Sequence, residues 1–237
     1  MIDRSIGEIV TENFKTARVF GKYKIDFCCG GKKTLEEVIS EKNLNAADIL
    51  AELELVQHAA GSDYQVLDQM NLSDLIAYIT DQHHAYIRNQ GPIITARLEK
   101  LVRVHGANHS ELMEIQTLFA THYGALVQHL MKEELILFPY IKAMAGNFAD
   151  KGPKPSAMFG SVKNPIGMME VEHIDVGREL EELRRLTNEF QCPPDGCTTY
   201  RTTFDELHAW EIDIHTHVHL ENNILHPKAM ALEASWN

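Results

Sequence analysis

Two stretches of the chain repeat one pattern: HLMKEELILFP at residues 129–139 and HVHLENNILHP at residues 217–227. Both read H-x-x-x-E-x-x-I-L-x-P, and they are called here the first and the second motif copy. A histidine and a glutamate four residues apart lie on the same face of an α-helix, one turn apart. One such pair arises by chance in many helices, but two matching copies predict that two helices present a histidine and a glutamate to a common interior.

The residues around both copies show the apolar period of helices from Leu72 onward. This period predicts four helices, near residues 72–103, 109–145, 165–190 and 198–233. The breaks between them fall at Gly106–Asn108, in a Gly- and Pro-rich stretch from Gly146 to Pro165, and at Cys192–Gly196. No alternating run of β-branched residues competes with this pattern. The sequence therefore predicts an all-α fold whose main part is an up-down-up-down four-helix bundle.

Histidines recur at nearly equal steps along the predicted bundle. His84 and His129 are 45 residues apart, and the two following steps, to His173 and to His217, are 44 residues each. Equal steps in an up-down bundle can return each helix to the same level. Charged side chains inside a core are costly unless they are paired or bind a metal. The predicted metal ligands are His84, His129, Glu133, His173, His217 and Glu221.

Other histidines are weaker candidates. His83 flanks the same helical stripe as His84, so periodicity alone leaves the choice between them open. His122 precedes the histidine of the first motif copy by seven residues, about 10 Å along the axis at 1.5 Å per residue, so a supporting or packing role is expected. Loop or surface positions are expected for His105, His109, His208 and His219.

The N-terminal part of the chain has a different organisation. Residues 1–57 are predicted to form a short helical domain, and residues 58–71, which show no clear period, a linker. Residues 72–237 then contain the bundle. In the N-terminal part, Thr34 and Glu37 fit a capping box that starts a helix.

Composition narrows the class of protein. The 237-residue chain has a net charge of −12 and no concentrated basic patch, which argues against a nucleic-acid partner. No apolar run approaches the roughly 18–20 residues that span a bilayer, and the N-terminal sequence lacks the pattern of a secretory signal. The four cysteines fit no disulfide framework. A cytoplasmic protein without a membrane partner is therefore expected.

Taken together, these motifs resemble the repair-of-iron-centres family of di-iron proteins. The segment YKIDFCCGGK at residues 23–32 resembles the short N-terminal domain of that family, and the two motif copies, with EVEH at residues 170–173, resemble its hemerythrin-like bundle. The resemblance implies the repair of iron–sulfur clusters damaged by nitric oxide or peroxide. Damaged iron–sulfur proteins would then be partners, and nitric oxide or oxygen a small-molecule ligand.

The resemblance also implies a ligand set for two irons joined by an oxo or hydroxo bridge. It favours His84 over His83 as a terminal ligand, beside the histidines at 129, 173 and 217. Glu133 and Glu221 become the bridging carboxylates. The implied function leaves open whether iron donation or nitric oxide reduction is the main task.

Two other functions are compatible with the same residues. In an oxygen-binding hemerythrin, the usual site has a fifth histidine, and none is expected here at a suitable level, so this function is less favoured. An iron- or nitric-oxide-sensing protein is the other alternative. A ferritin-type site is disfavoured, because the Glu170-x-x-His173 pattern has no second copy.

The adjacent cysteines Cys28 and Cys29 are predicted to be redox-active or iron-handling thiols that act together with the metal site. Lys32, Lys33 and the following helix start are expected to favour thiolate. Their domain is expected at the bundle end that carries the linker. Gly177, one turn beyond His173, could open a path for a small ligand. Cys192 and Cys197 are assigned no role.

Overall fold

The structure, a computed structural model, describes residues 1–57 and 64–236. Within these ranges the regular elements are all helices, and the one β-type contact is an isolated antiparallel bridge between Ser5 and Thr34. The predicted all-α fold is confirmed. None of the described helices is both long and apolar enough to cross a membrane.

Short helices form the N-terminal part: α1 (Ile6–Glu12), α2 (Thr16–Lys22), α3 (Leu35–Glu41), α4 (Ala46–Gln57) and α5 (Tyr64–Gln69). Helix α3 begins where the sequence predicts, because Thr34 and Glu37 form a complete capping box with N–H···O distances of 3.2 and 2.7 Å. Helix α5 lies within the predicted linker, of which residues 58–63 are outside the described ranges. This helix forms around Leu67, which is buried in the apolar cluster at the start of the bundle.

The bundle consists of four long helical segments. The first joins α6 (Leu72–Tyr78), a π turn (Ile79–His84) and α7 (Ala85–His105), and the second joins α8 (Glu111–Lys132), a π turn (Glu133–Leu137) and α9 (Phe138–Ala149). The third is α10 (Lys163–Leu186), and the fourth joins α11 (Thr198–Leu220), a π turn (Glu221–Leu225) and α12 (His226–Ala234).

The third segment ends four residues earlier than predicted. Asn188, Glu189 and Phe190 have φ angles of 48°, 58° and 57°. Three successive residues in the left-handed region cannot continue a right-handed helix. The chain therefore leaves the bundle at Leu186 and turns back toward the fourth segment.

The prolines that end both motif copies explain two of the π turns. Proline has no N–H to donate, and its ring clashes with the carbonyl four residues earlier. The preceding residues instead donate five residues back, from Phe138 N–H to the Glu133 carbonyl and from His226 N–H to the Glu221 carbonyl. Each π turn therefore places the residue before proline one turn above a glutamate.

Two apolar clusters lie on either side of the predicted metal level. One contains α6, α9 and α12 residues such as Leu75, Ile141 and Ala229. The other combines bundle residues such as Trp210 with N-terminal residues such as Phe20. The N-terminal helices thus extend along the bundle from the linker helix α5 past the metal level, so their attachment is not confined to the linker end that the sequence led us to expect.

Candidate metal centre

Six buried side chains converge between the two apolar clusters. They form two groups, each able to hold one ion: His84, Glu133, His217 and Glu221 in one, and His129, Glu133, His173 and Glu221 in the other. Within each group the ligand atoms lie within 4.8 Å of one another. Both glutamates belong to both groups, which is the arrangement of a dinuclear site with two bridging carboxylates. All six positions are those that the sequence predicts.

The distances suit metal coordination. The Nε2 atoms of His84 and His217 are 3.1 Å apart, and those of His129 and His173 are 3.0 Å apart. Two ligand atoms bonded at right angles to one ion, each at about 2.1 Å, stand about 3 Å from each other. The glutamate oxygens complete the groups, at 3.2 Å from His129 and 3.0 Å from His217.

Outer hydrogen bonds turn three of the imidazoles toward the interior. The Nδ1 atom of His84 lies 2.7 Å from Oε1 of Glu134, and that of His129 lies 2.8 Å from Oε2 of Glu172. The Nδ1 atom of His173 lies 2.9 Å from Oδ1 of Asn222. Such partners fix the ring and leave the other nitrogen free for a metal. In the fourth histidine of the two groups, His217, the Nδ1 atom has no hydrogen-bond partner in the described part of the chain.

The charges of the site also favour cations. Burial and the neighbouring Glu221 raise the pKa of Glu133, but His129 and His84 more than compensate and bring it to about 2. Burial lowers the pKa of His84, but both glutamates outweigh it and raise that pKa to about 10. Burial also raises the pKa of Glu221, but His217 and the other histidines of the site hold it well below its ordinary value. Neither oxygen of Glu133 accepts a regular hydrogen bond from residues 1–57 or 64–236, so a bound cation would supply the partner that the buried carboxylate lacks.

The structure separates the neighbouring histidines 83 and 84. His84 lies in the metal group, whereas His83 turns away, with Nδ1 2.9 Å from an oxygen of Asp213. The His83 ring stacks on the outer side of His217, with ring centroids 5.8 Å apart. His122 lies outside both groups, where its Nδ1 is 2.8 Å from Glu179 Oε2 and its Nε2 accepts a hydrogen bond from the indole of Trp210.

Two histidines differ from what the sequence indicates. His219 is 1% exposed, not a surface residue, because Phe14 and Phe27 of the N-terminal part cover it. His226, in the second motif copy, is completely buried and stacks parallel to His173 with ring centroids 6.2 Å apart. A fifth histidine therefore lies beside the site, but outside both ligand groups. Its place before proline in a repeated motif was the available signal.

The cysteine pair lies directly against the metal centre. The Cys29 thiol donates to the backbone carbonyl of His173 at 3.2 Å, and the Asn222 amide donates to the Cys28 carbonyl at 3.2 Å. The two sulfur atoms are 3.7 Å apart. Together with Asp26 these thiols form a third group able to hold a metal ion.

The expected thiolate environment is absent at Cys28. This thiol is 4% exposed, and Cys29, burial and Asp26 together raise its pKa well above the ordinary value. Lys32 and Lys33 do not face it, since their ammonium groups pair with Glu170 and Glu41.

Gly177 lies where the two parts of the chain meet. A Cβ atom there would stand 3.8 Å from the Cys29 sulfur, an ordinary contact. The residue also lines an open cleft, together with Asp26, Cys28 and His215. The predicted path for a small ligand stays a prediction.

The other two cysteines lie elsewhere. Cys197 precedes α11, and its sulfur is 3.2 Å from Nε2 of His105, which lowers the pKa of the thiol to about 7. Cys192 lies in the same loop, against Gly196.

Two family models match the chain. Residues 2–57 match a domain of unknown function, DUF542, and residues 75–229 match the hemerythrin HHE cation-binding domain. The second match covers more than half of the chain, so the bundle is a hemerythrin-like cation-binding domain.

Curated proteins match over nearly the whole chain. The iron-sulfur cluster repair protein YtfE of Pectobacterium atrosepticum is 35% identical over 229 residues, which are 96% of this chain and 97% of the relative. The protein of the same name from Escherichia coli O157:H7 is 33% identical over 232 residues, 98% of each chain. The probable iron-sulfur cluster repair protein of Haemophilus influenzae is 32% identical over 228 residues, 96% of each chain.

The resemblance seen in the sequence is thereby confirmed. Both halves of the pattern, the short segment with adjacent cysteines and the bundle with two H-x-x-x-E pairs, lie in one chain, and the relatives match that chain over nearly its whole length. The chain belongs to the family of iron–sulfur cluster repair proteins that combine a DUF542 domain with a hemerythrin HHE domain.

Proposed function

We propose that this protein repairs iron–sulfur clusters damaged by nitric oxide or peroxide and that its bundle holds two irons for this task. The observation that carries the proposal is the pair of overlapping ligand groups that share both buried glutamates. The names of the relatives give the biological context. The partners would be damaged iron–sulfur proteins, and nitric oxide or oxygen would be the small ligand. The alternatives, oxygen carriage and sensing, find no support in those names.

Each iron would have its own pair of histidines. His84 and His217 would hold one, and His129 and His173 the other. Glu133 and Glu221 would bridge the two ions. The donors are imidazole and carboxylate groups, and carboxylate-bridged pairs of ions in helical bundles are typically iron or manganese.

Two bound irons would supply redox chemistry and a coordination position for a small diatomic ligand. Residues of the protein would orient the ligands, exclude water and line the route of the small ligand. The outer hydrogen bonds that the imidazoles donate to oxygens of Glu134, Glu172 and Asn222 hold the rings in place. The apolar clusters on both sides keep bulk water away from the ions. The cleft lined by Gly177 is the route that we propose for the ligand.

The cysteine pair would act with this centre without building it. Thiol sulfur is a soft ligand that binds iron as thiolate. A cation that approaches Cys28 and Cys29 would displace their protons, and the Asp26 carboxylate stands ready as a third donor. We propose that these groups receive iron that leaves the bundle and pass it toward a damaged cluster.

The division of the chain into residues 1–57, a linker at 58–71 and a bundle at 72–237 belongs to the same proposal. Its support is that the two family matches end at residue 57 and begin at residue 75. We also propose a cytoplasmic site of action, because the four cysteines show no disulfide among the described residues.

The decisive experiment is metal analysis with Mössbauer spectroscopy on protein purified anaerobically, followed by a repair assay. We expect two irons per chain with coupled spins and restored activity of an iron–sulfur enzyme that was inactivated with nitric oxide. Zinc in place of iron, or a single metal per chain, would refute the di-iron assignment. Failure to restore the enzyme would refute the repair function.

A further inference from the structure

The two motif copies differ at the residue before proline. This residue is Phe138 in the first copy and His226 in the second. Both stand at the end of a π turn, five residues after a bridging glutamate, and both stack on a histidine of the metal centre. Phe138 stacks on His84 with ring centroids 5.6 Å apart, and His226 stacks on His173 at 6.2 Å. An apolar ring is thus sufficient for the packing role of this position.

His226 is unusual among the buried histidines. It is completely buried, and neither of its ring nitrogens has a hydrogen-bond partner among the residues that the structure describes. His122, which is equally buried, has partners for both nitrogens. Buried polar atoms without partners are costly, and they point to a group that the protein binds. Two such atoms on one ring, where phenylalanine fits the equivalent position, indicate a role beyond packing.

The position of the His226 ring indicates which end of the metal centre it lies against. The backbone bond from His226 N–H to the Glu221 carbonyl closes the π turn, so the ring projects from the same side of the helix as the bridging carboxylate. Stacking against His173 places it at the end of the centre formed by His129 and His173. Met169, one turn before His173, and Leu225 belong to the buried apolar cluster on this side. Because His226 directly follows Leu225, a buried polar ring stands next to this apolar cluster.

We propose that His226 donates a hydrogen bond to a small anion or diatomic ligand held at the His129–His173 end of the metal centre. This inference rests on the proposed function, since it needs a metal that offers a position to such a ligand. An imidazole carries at least one N–H in either protonation state. A ligand with an acceptor atom remote from the metal, such as azide or nitric oxide, is the class that this donor recognises. His226 is in this sense a residue that sets ligand affinity.

The test is azide titration of the oxidised iron protein, followed by visible absorption. His226→Phe copies the residue of the first motif copy and should keep the metal content of the wild type. Its dissociation constant for azide should rise about tenfold. His226→Gln keeps a hydrogen-bond donor and should stay within about threefold of the wild type. His122→Gln, a change of a buried histidine outside the metal groups, is the control and should not alter azide affinity.

Azide affinity of His226→Phe within twofold of the wild type would overturn the proposal. So would a His226→Gln variant as weak as His226→Phe, because a donor at this position would then have no effect. The same titration on the cobalt(II)-substituted protein tests His226 whichever metal is native. A failure of the di-iron assignment is therefore recognised separately, by metal analysis of the wild type.

A second readout needs no metal. Since His226 makes no hydrogen bond through its ring, the metal-free His226→Phe protein should melt at the same temperature as the wild type or higher. A clearly lower melting temperature would assign the ring a structural role and contradict the proposal.

Discussion

The two motif copies share a backbone and differ in what surrounds them. In the first copy, residues that follow Glu133 face solvent: Leu135 and Ile136 are 70% and 51% exposed. In the second copy, the corresponding residues Asn223 and Ile224 are covered, and Ile224 is only 3% exposed. The inward histidine and glutamate play the same part in both. The repeated sequence therefore predicts which residues face the interior of the bundle. It does not predict the surroundings of the outward residues, which differ between the two copies.

The outward side of the second copy contacts the N-terminal part of the chain through hydrogen bonds. Asn222 and Asn223 donate to the carbonyls of Cys28 and Phe27. The approach is close, because a Cβ atom on Gly31 would come within 2.6 Å of the Asn223 side chain. The second glycine of the Cys-Cys-Gly-Gly segment is thus explained by contact with the bundle.

The largest effect should come from the glutamates, where the copies are equivalent. Glu133→Ala or Glu221→Ala removes a bridging carboxylate and should decouple the irons or release at least one of them. Iron analysis and Mössbauer spectroscopy measure both outcomes. His122→Ala is the control and should keep two coupled irons; loss of iron in that variant would show that the ligand set is misassigned. A defect in only one glutamate variant would show that the copies hold the metals unequally.

Substitutions on the outward side should change the free energy of unfolding differently in the two copies. Asn223→Leu inserts the residue of the first copy, removes the bond to Phe27 and crowds Gly7 and Gly31, which both lie against this side chain. We therefore expect a loss of about 2–3 kcal/mol in the free energy of unfolding. The reciprocal change, Leu135→Asn, affects an exposed residue and should stay within about 0.5 kcal/mol. Thermal and urea unfolding measure both. Equal losses in the two variants would mean that Asn223 does not hold the N-terminal part.

A smaller effect is expected when Glu134 of the first copy, the hydrogen-bond partner of His84, is replaced. Glu134→Ala removes the acceptor for His84 Nδ1 and should weaken iron binding about tenfold, near the lower end of the usual range for such partners. Asn222→Ala removes the acceptor for His173 and also the bond to Cys28, so its effect should be larger. Competition with a chelator measures both affinities. A greater loss of iron affinity in Glu134→Ala than in Asn222→Ala would contradict this prediction.

The smallest effect on the iron centre should come from the thiols beside the second copy. A Cys28→Ser, Cys29→Ser double variant should keep two irons and the normal spectrum, because neither thiol belongs to the two ligand groups. Its ability to restore a nitric-oxide-damaged iron–sulfur enzyme should fall well below that of the wild type. A Cys192→Ser, Cys197→Ser variant is the matched control. Undiminished repair by the first variant would assign Cys28 and Cys29 a structural role only.

The sequence predicted the bundle and its six inward residues because polar residues at a helical period interrupted apolar stripes. It did not predict the burial of Cys28 and His219, because the surfaces that cover them come from remote parts of the chain. The π turns were missed as well, although the prolines after both copies carry the signal. His226 was missed since one histidine before proline gives no periodic pattern.

The bond from Asn222 to the Cys28 carbonyl has a consequence for biosynthesis. It joins residues 194 positions apart, so at about 5–20 residues per second a ribosome needs about 10–40 s after making Cys28 before Asn222 exists. Contacts of such wide separation also form late in folding. Cys28 and Cys29 are among the first residues made, but the bundle residue that binds the Cys28 carbonyl is made 194 residues later. In a newly made chain, the Cys28 carbonyl therefore lacks its bundle partner until the fourth helix has been made.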